Sequence, residues 1–395
     1  MHVRELVTSP WVRSRLATGA ALVAATAAVA ACGSSSGDND QATASSKAGT
    51  ATTASASDTA AKIAALTTRP TKIAVTTPIG KPVPTGKKVI YIPPPLGDTK
   101  STVPILDAAA KTLGWTAKIL LPTAADPAAY TDAIDEAIRE KADAIILVSM
   151  PGAALTAPIG RAKAAGIPVV NLYASEANGT VPGIAAQPLG RSYTIGVAEK
   201  TGELLGLMVP PGSTVGEAAL LVITKAGVLQ EATERGVKTT CPTCKYAVNV
   251  TTAAQAKDYV PNIVNFIRKD NIKGMYIMNG PLSNGLGPAM KAAGEDPSSV
   301  KSLAGTIDAA DGSAQRVQNG EAPLAAGYVW PGAEGVWYAM DAAARAIAGV
   351  STAPSETPPA PFIVVSNKIP ADVLKDPVAV AVQDYQQQFA KLWGK

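Results

Sequence analysis

The stretch Asp143-Ala144-Ile145-Ile146-Leu147-Val148-Ser149 decides the fold, because an unbroken apolar run stands between two polar residues. A strand exposed on one face alternates apolar and polar residues, whereas a parallel strand covered on both faces is apolar throughout. The run therefore predicts a buried central strand of a parallel sheet, with Ser149 at its carboxyl end.

Further short apolar strands are predicted on both sides of this one, at Val89–Ile92, Ala117–Leu121 and Val169–Leu172. Helical stretches separate them. One covers Thr102–Leu113, and another starts after Asp126-Pro127, an N-cap followed by a proline that suits the first helical position. Strands that alternate with helices in this way indicate a doubly wound parallel sheet.

The same alternation starts again after residue 190, with a long helix at about Tyr193–Leu207. Pro261 interrupts a helical region over 254–269 and predicts a kink or break there. A helix at Ala333–Ala348 and a C-terminal helix come late in the chain. The predicted strands of this half are Ala218–Thr224, Tyr246–Val250, Met275–Met278, Leu303–Ile307, Ala325–Val329 and Phe362–Ser366.

The fold class predicted from this pattern is α/β, with two doubly wound parallel-sheet lobes joined by a hinge of crossing segments. About 330 residues follow position 66, more than one hydrophobic core usually accommodates. The predicted N-terminal lobe comprises residues 87–187 and 331–358, and the C-terminal lobe comprises 188–330 and 359–395.

The N-terminal residues have the pattern of an export signal. Arg4, Arg13 and Arg15 precede an apolar run that ends in Val29-Ala30-Ala31-Cys32-Gly33. Small residues before a cysteine resemble the lipobox of bacterial lipoproteins, in which the cysteine becomes the acylated first residue. We therefore expect residues 1–31 to be a lipoprotein signal peptide and Cys32 to carry the lipid that anchors the protein outside the cytoplasmic membrane. An ordinary signal peptide with a chance cysteine is the alternative.

Two segments are predicted between the signal peptide and the first lobe. Residues 32–65 are rich in Gly, Ser, Ala and Thr, which is typical of a flexible tether. Residues 66–86 contain four prolines and predict an extended lead-in, with a short edge strand at Lys72–Thr76.

Composition excludes several classes of function. The full chain has 35 basic and 31 acidic residues, which gives no reason to expect nucleic-acid binding. Removal of residues 1–31 takes away His2, the only histidine, so Ser-His-Asp and Cys-His catalysis and His-ligated metal sites are excluded. No cofactor, metal or enzyme activity is expected.

Cys241 and Cys244 are the only cysteines besides Cys32. In an oxidising compartment such a pair predicts a small disulfide. A thioredoxin-like redox site is the alternative, but it requires a helix after the motif, whereas here a predicted helix precedes the pair and a strand follows it.

Several motifs in this order resemble type I periplasmic solute-binding proteins of the sugar-binding cluster, the receptor components of ABC importers. The resemblance covers about residues 87–395. It rests on the central strand 143–149, Ile167–Val170, Gly190-Arg191, Met278-Asn279-Gly280-Pro281-Leu282-Ser283-Asn284-Gly285 and Gly305-Thr306-Ile307-Asp308. It implies a ligand cleft at the carboxyl ends of the strands and closure of the lobes about the hinge.

The resemblance also implies which residues contact the solute. Asn279 matches the family's cleft asparagine, although Asn also favours a turn before Gly280-Pro281, and Asp308 ends the next strand or caps the next helix. Tyr173 and Trp330 stand where sugar-binding relatives often have polar residues, which favours stacking of their rings on a ring of the solute. The alternative is that each packs in the hinge or in the core. Ser149, Gln187, Asp98 and Arg191 are the remaining candidates, and Arg191 is equally suited to a surface ion pair.

One departure from the family concerns Thr233, which occupies the place of a ligand-binding arginine in many sugar-binding relatives. A less hydroxylated ligand is therefore expected. The partners implied are a small-molecule solute, an ABC permease with its ATPase, and the membrane through the lipid, and we expect a monomer. A sensory protein of the same fold that signals to a membrane partner is the alternative function.

Overall fold

The structure is a computed structural model that describes residues 56–95, 99–221, 227–278, 280, 284–307, 309–376 and 378–395. The predicted signal peptide, Cys32 and most of the predicted tether lie outside these residues. The helices are α1 (Ala56–Leu66), α2 (Thr102–Leu113), α3 (Pro127–Arg139), α4 (Thr156–Ala164), α5 (Arg191–Met208), α6 (Gly227–Thr240), α7 (Tyr259–Asp270), α8 (Leu286–Ala292), α9 (Ser313–Gln318), α10 (Gly332–Ile347), α11 (Ala371–Lys375) and α12 (Tyr385–Leu392).

The strands form two sheets, which confirms the predicted fold class. They are β1 (Lys88–Ile92), β2 (Thr116–Ile119), β3 (Ala144–Val148), β4 (Val169–Leu172), β5 (Ile184–Ala186), β6 (Thr214–Leu221), β7 (Lys245–Thr252), β8 (Ile272–Ile277), β9 (Lys301–Ile307), β10 (Leu324–Val329) and β11 (Ile363–Val365). The first sheet has the order β2-β1-β3-β4-β5 and is parallel throughout. The second has the order β11-β10-β9-β8-β6-β7, and only β11 is antiparallel to its neighbour.

β3 is fully buried along its length, as the apolar run predicts. Its residues pack on two sides of the sheet. Ile146 faces the large cluster that includes α2 and α10, while Ile145 and Leu147 face the cluster that includes α3 and α4. Helices on both faces are the reason why no polar residue is tolerated in this strand.

α5 and α6 pack unusually closely in the second lobe because glycines stand at their contact. A Cβ atom at Gly202 would lie 2.1 Å from the Thr233 carbonyl oxygen, and one at Gly236 would lie 2.0 Å from that of Glu199. The two helices therefore touch through their backbones. Directly after α6, a disulfide joins Cys241 to Cys244.

The predicted edge strand at 72–76 is not formed, and the predicted break at Pro261 lies slightly earlier in the chain. Residues 72–76 are extended but form no strand, because their backbone N–H groups donate to side chains instead of to a neighbouring strand. Ile73 donates to Gln388 Oε1 and Ala74 to the Tyr338 hydroxyl. The helical region 254–269 is interrupted before Pro261, between a 3₁₀ turn and α7. Pro261 lies in the first turn of α7, where its missing N–H costs no hydrogen bond.

α1 occupies the end of the predicted tether. Alanine-rich sequence favours this helix, and Ile63 and Leu66 pack against the large core cluster.

The C-terminal helix differs from its predicted place in the second lobe. α12 packs on α10 and α2, which cover the first sheet. Aromatic side chains determine this position: the Trp393 ring stacks on Trp337 with centroids 5.1 Å apart, and Trp393 Nε1 donates to Asp341 Oδ1 at 2.8 Å. Phe389 packs against the same tryptophan pair. Residues 378–384 consequently cross back from the second lobe to the first.

Candidate functional site

A cleft of about 450 Å³ lies where the carboxyl ends of both sheets meet. This is the edge at which open parallel sheets bind ligands. Its size suits a small molecule. The residues that line it are Tyr91, Pro93, Pro94, Thr99, Ser101, Thr102, Ile105, Val148, Ser149, Tyr173, Thr306, Ile307, Trp330, Gly332, Val336, Val378 and Ala379.

Trp330 provides an open aromatic surface in this cleft. It follows β10 and lines the cleft, and 40% of its surface is exposed. Tyr173 follows β4 of the other sheet, and its ring centroid lies 4.5 Å from that of Trp330, with the ring planes inclined at 41°. The two aromatic residues predicted from strand ends are therefore neighbours, and one supports the other.

Tyr173 is held firmly in this position. Its hydroxyl donates to the Pro331 carbonyl oxygen at 3.1 Å. Burial raises the pKa of the Tyr173 phenol well above its ordinary value, so the hydroxyl remains a donor. Its backbone has φ = 59°, a left-handed conformation that non-glycine residues rarely adopt and that often marks functional sites. Because its ring and hydroxyl are both engaged, Tyr173 orients Trp330, whose remaining surface faces the cleft.

Ser149 lies at the carboxyl end of β3 and also lines the cleft. Its backbone has φ = 56°, again in the left-handed region. The strand end is therefore bent sharply at the place where a serine hydroxyl meets the cleft. Two neighbouring strands, β3 and β4, end in the same strained geometry at this edge.

The described walls of the cleft are uncharged. They combine apolar and aromatic side chains with the hydroxyl groups of Thr99, Ser101, Thr102, Ser149 and Thr306. Hydroxyl groups both donate and accept hydrogen bonds, and apolar walls bind ring faces. The arrangement suits a neutral solute with a ring and a small number of polar groups.

Three of the predicted contact residues, Asp98, Asn279 and Asp308, lie outside the described residues. Two of their chain neighbours, Thr99 and Ile307, line the cleft. Gln187 and Arg191 do not belong to the lining that the structure describes. Gln187 is 1% exposed and uses its backbone N–H to donate to Glu356 Oε1 at 2.7 Å, while Arg191 begins α5.

Thr233 is fully buried in α6, and its hydroxyl donates to the Leu229 carbonyl oxygen at 3.0 Å. It does not line the cleft, so no side chain at this position replaces the family's arginine.

Several lining residues were missed by the sequence analysis. Tyr91, Pro93 and Pro94 stand at and just beyond the end of β1, and the rule that pointed to Ser149 applies equally to them. Val378 and Ala379 have no comparable signal, because they belong to an irregular segment between α11 and α12.

Two lobes with a cleft between their strand ends, as the described residues show, are the architecture of bilobal solute-binding proteins. Residues 102–351 match the family described as periplasmic binding protein domain, and the chain belongs to this family. The predicted resemblance is confirmed by this match. No helix in the described part of the chain combines the length and apolar character needed to cross a bilayer.

Solved structures of sugar-transport proteins share the fold. An ABC transporter solute-binding protein from Actinobacillus succinogenes with bound D-allose is 16% identical with a TM-score of 0.57, covering 71% of this chain and 98% of that one. One from Agrobacterium vitis with bound α-D-tagatopyranose is 17% identical with a TM-score of 0.57, covering 75% and 99%. A periplasmic ribose ABC transporter protein from Conexibacter woesei is 19% identical with a TM-score of 0.55, covering 74% and 92%. No curated protein matches the sequence significantly.

Proposed function

We propose that this protein is an extracytoplasmic, lipid-anchored receptor that binds a neutral ring-containing solute, such as a sugar, and delivers it to an ABC importer. The observation that carries the proposal is Trp330, an exposed indole supported by Tyr173 in an interlobe cleft whose described lining residues are uncharged. An exposed aromatic face in a cleft is suited to stacking on a ring. The sugar-bound structures that share the fold support the same class of solute.

Asp98, Asn279 and Asp308 are included in the proposed site. Thr99 and Ile307, the chain neighbours of Asp98 and Asp308, line the cleft, which supports contact of these two carboxylates with the solute. Asn279 is included on the resemblance to the family's cleft asparagine. Carboxylate and amide groups there would bind the hydroxyl groups of a sugar, while Trp330 binds the ring face. The lobe boundaries given in the sequence analysis are proposed too, with α12 transferred to the first lobe.

A solute screen tests the proposal. The melting temperature of the purified protein is measured with sugars, polyols, nucleosides, amino acids and aromatic acids. A ligand at 100 times its Kd stabilises the folded state by about 2.7 kcal/mol, which raises Tm by a few degrees. We expect a neutral ring compound to give this shift in the wild type and in Leu121→Ala, which removes an exposed apolar side chain outside the cleft.

Trp330→Ala provides the discriminating variant. We expect its Kd for the same solute, measured by calorimetry, to rise about tenfold or more, equivalent to about 1.4 kcal/mol of lost stacking. Unchanged affinity in Trp330→Ala, or binding of charged solutes alone, would contradict the proposed site.

Delivery is tested by solute uptake in cells that lack the chain. Wild-type protein is expected to restore uptake and Trp330→Ala is not. Binding without any effect on uptake would favour the sensory alternative.

The anchor and the disulfide are tested separately. We expect the wild type to incorporate labelled fatty acid and partition into detergent, and Cys32→Ala to do neither. We propose that Cys241 and Cys244 are oxidised in the exported protein, which predicts no thiol labelling at either position until a reductant is added. The mature protein is proposed to be a monomer, which light scattering measures.

A further inference from the structure

Residues 56–86, here called the N-terminal strap, contact both lobes before the first strand begins. The strap precedes the part of the chain that matches the family, residues 102–351. Its first part lies on the second lobe, where α1 packs against α5.

Arg69 binds this first part of the strap to the second lobe. Its guanidinium nitrogens donate to both carboxylate oxygens of Asp372 in α11, at 2.9 and 2.7 Å. The same group donates to the carbonyl oxygens of Val380 and Ala381, at 2.7 and 2.8 Å, and lies over the ring of Phe362 at 5.2 Å. Bidentate pairs of this kind are among the stronger and more rigid polar contacts in proteins.

The second part of the strap lies on the first lobe. Gln388 of α12 accepts from the Ile73 amide at 3.1 Å and donates to the Thr71 carbonyl at 2.9 Å. The Ala74 amide donates to the Tyr338 hydroxyl of α10 at 2.7 Å. The strap therefore passes from one lobe to the other between Arg69 and Thr71, at Pro70, a residue that restricts the backbone.

The segment 378–382, to which Arg69 donates hydrogen bonds, also contributes to the cleft. Val378 and Ala379 line the cleft. On its other side the segment is held by Glu334 of α10, whose carboxylate accepts from the Val382 amide at 2.7 Å. One crossing segment is thus fixed between the Arg69 guanidinium of the strap and the carboxyl group of Glu334 from the first lobe, directly beside the cleft.

We propose that the N-terminal strap restricts how far the two lobes open and thereby sets the affinity for solute. Separation of the lobes requires the Arg69 contacts on the second lobe or the contacts of residues 71–74 on the first lobe to break. A receptor held near its closed arrangement has a larger fraction of molecules competent to bind. The apparent Kd is the intrinsic Kd divided by that fraction, so release of the strap weakens binding.

Interlobe distances measured by electron spin resonance test this directly. Nitroxide labels are attached at Lys163→Cys in α4 and Lys291→Cys in α8, both exposed, in the full chain with Cys32→Ser. We expect Arg69→Met to lengthen and broaden the distance distribution of the solute-free protein. Lys72→Met, which removes an exposed cation from the same strap, is the matched control and is expected to leave the distribution unchanged.

Asp372→Asn removes the carboxylate that binds Arg69 and leaves Arg69 itself intact. If Arg69→Met fails to fold, the distances are measured in this variant instead. It is expected to shift the distances in the same direction. Once a solute is identified, both variants are expected to raise its Kd about tenfold or less, through the competent fraction alone. Distances equal to the wild type in both folded variants would overturn the proposal.

The test is independent of the proposed function, because the distances are measured without solute. A screen that finds no solute would count against the receptor proposal and leave the strap result standing. Unchanged distances, together with a confirmed solute, would refute the strap proposal and leave the receptor proposal standing.

Discussion

A Cβ atom at Gly335 would lie 2.0 Å from the hydroxyl oxygen of Tyr173. The first turn of α10 therefore provides the space into which the phenol fits, and the Pro331 carbonyl in the same turn accepts its hydrogen bond. The Tyr173 ring also packs against Trp330. Tyr173 thus links the end of β4 in one lobe to the segment that enters α10 from the other.

Gly335→Ala is expected to displace Tyr173 and weaken solute binding, because the methyl group and the phenol cannot share this space. Loss of the support for Trp330 is expected to raise Kd about tenfold, equal to about 1.4 kcal/mol. Calorimetric titration of the solute found in the screen measures it. Gly160→Ala in α4, where nothing lies within 4 Å of the added methyl, is the control and should bind normally. Normal binding by Gly335→Ala would show that Tyr173 has no orienting role.

Ser149→Gly is expected to stabilise the fold and weaken solute binding at the same time. Its left-handed backbone, φ = 56°, costs a non-glycine residue about 1 kcal/mol, which glycine does not pay. Urea unfolding should show this gain for Ser149→Gly and not for Ser149→Ala, while both lose the cleft hydroxyl and bind solute more weakly.

Lys141→Gly is the control for strain alone. It has φ = 54° and lies after α3, away from the cleft, so it should gain stability without any change in solute affinity. Equal stability of Ser149→Gly and Ser149→Ala would refute the strain argument.

The parts of the fold that follow from local sequence were predicted. Ala144–Val148 is apolar at every position, and only a strand covered on both faces requires that pattern. β5 was missed because three residues, Ile184–Ala186, carry too little pattern to distinguish a strand from a loop. Residues 56–65 of the strap were predicted as tether and residues 66–86 only as an extended lead-in. The order of the lead-in comes from side chains about 300 residues away in sequence, such as Gln388, which bonds to Thr71 and Ile73 (separations of 317 and 315).

The candidate site shows the same division. Ser149, Tyr173 and Trp330 follow predicted parallel strands and line the cleft, and the family resemblance pointed to Tyr173 and Trp330 as well. Gln187 was selected by the same rule, but it is buried and absent from the described lining of the cleft; it follows β5, the edge strand of the first sheet. The contribution of Val378 and Ala379 depends on how the chain crosses between the lobes, and that is decided by tertiary contacts such as Arg69 with Val380.

The close packing of α5 and α6 predicts that Gly236→Ala destabilises the second lobe severely. The methyl group would lie 2.0 Å from a carbonyl oxygen of α5, and the backbones must move apart to accommodate it. Overpacking against backbone is expected to reduce the free energy of unfolding by about 3 kcal/mol, measured by urea denaturation. Gly196→Ala, on α5 with nothing within 4 Å, should be neutral or slightly stabilising, since alanine favours helix more than glycine. A stable Gly236→Ala would show that the helices are further apart.

Glu334 predicts a pH dependence of stability. It is 1% exposed, and burial raises the pKa of its carboxyl from 4.5 to about 7, against the opposing effects of two backbone N–H donors and Arg69. Around it lie the neutral phenols of Tyr173, Tyr193, Tyr338 and Tyr385.

Because the folded protein holds this proton more tightly than the unfolded chain, the carboxyl contributes its full stability below about pH 4.5. That contribution decreases as pH rises and is lost above about pH 7. Glu334→Gln remains neutral at every pH. Its free energy of unfolding relative to the wild type is therefore expected to increase between pH 5 and pH 8, by up to about 3 kcal/mol. Urea unfolding at both pH values measures this difference, with the exposed Glu231→Gln as control for the loss of a carboxylate. If the difference in free energy of unfolding is the same at both pH values, the pKa of Glu334 is not raised by folding.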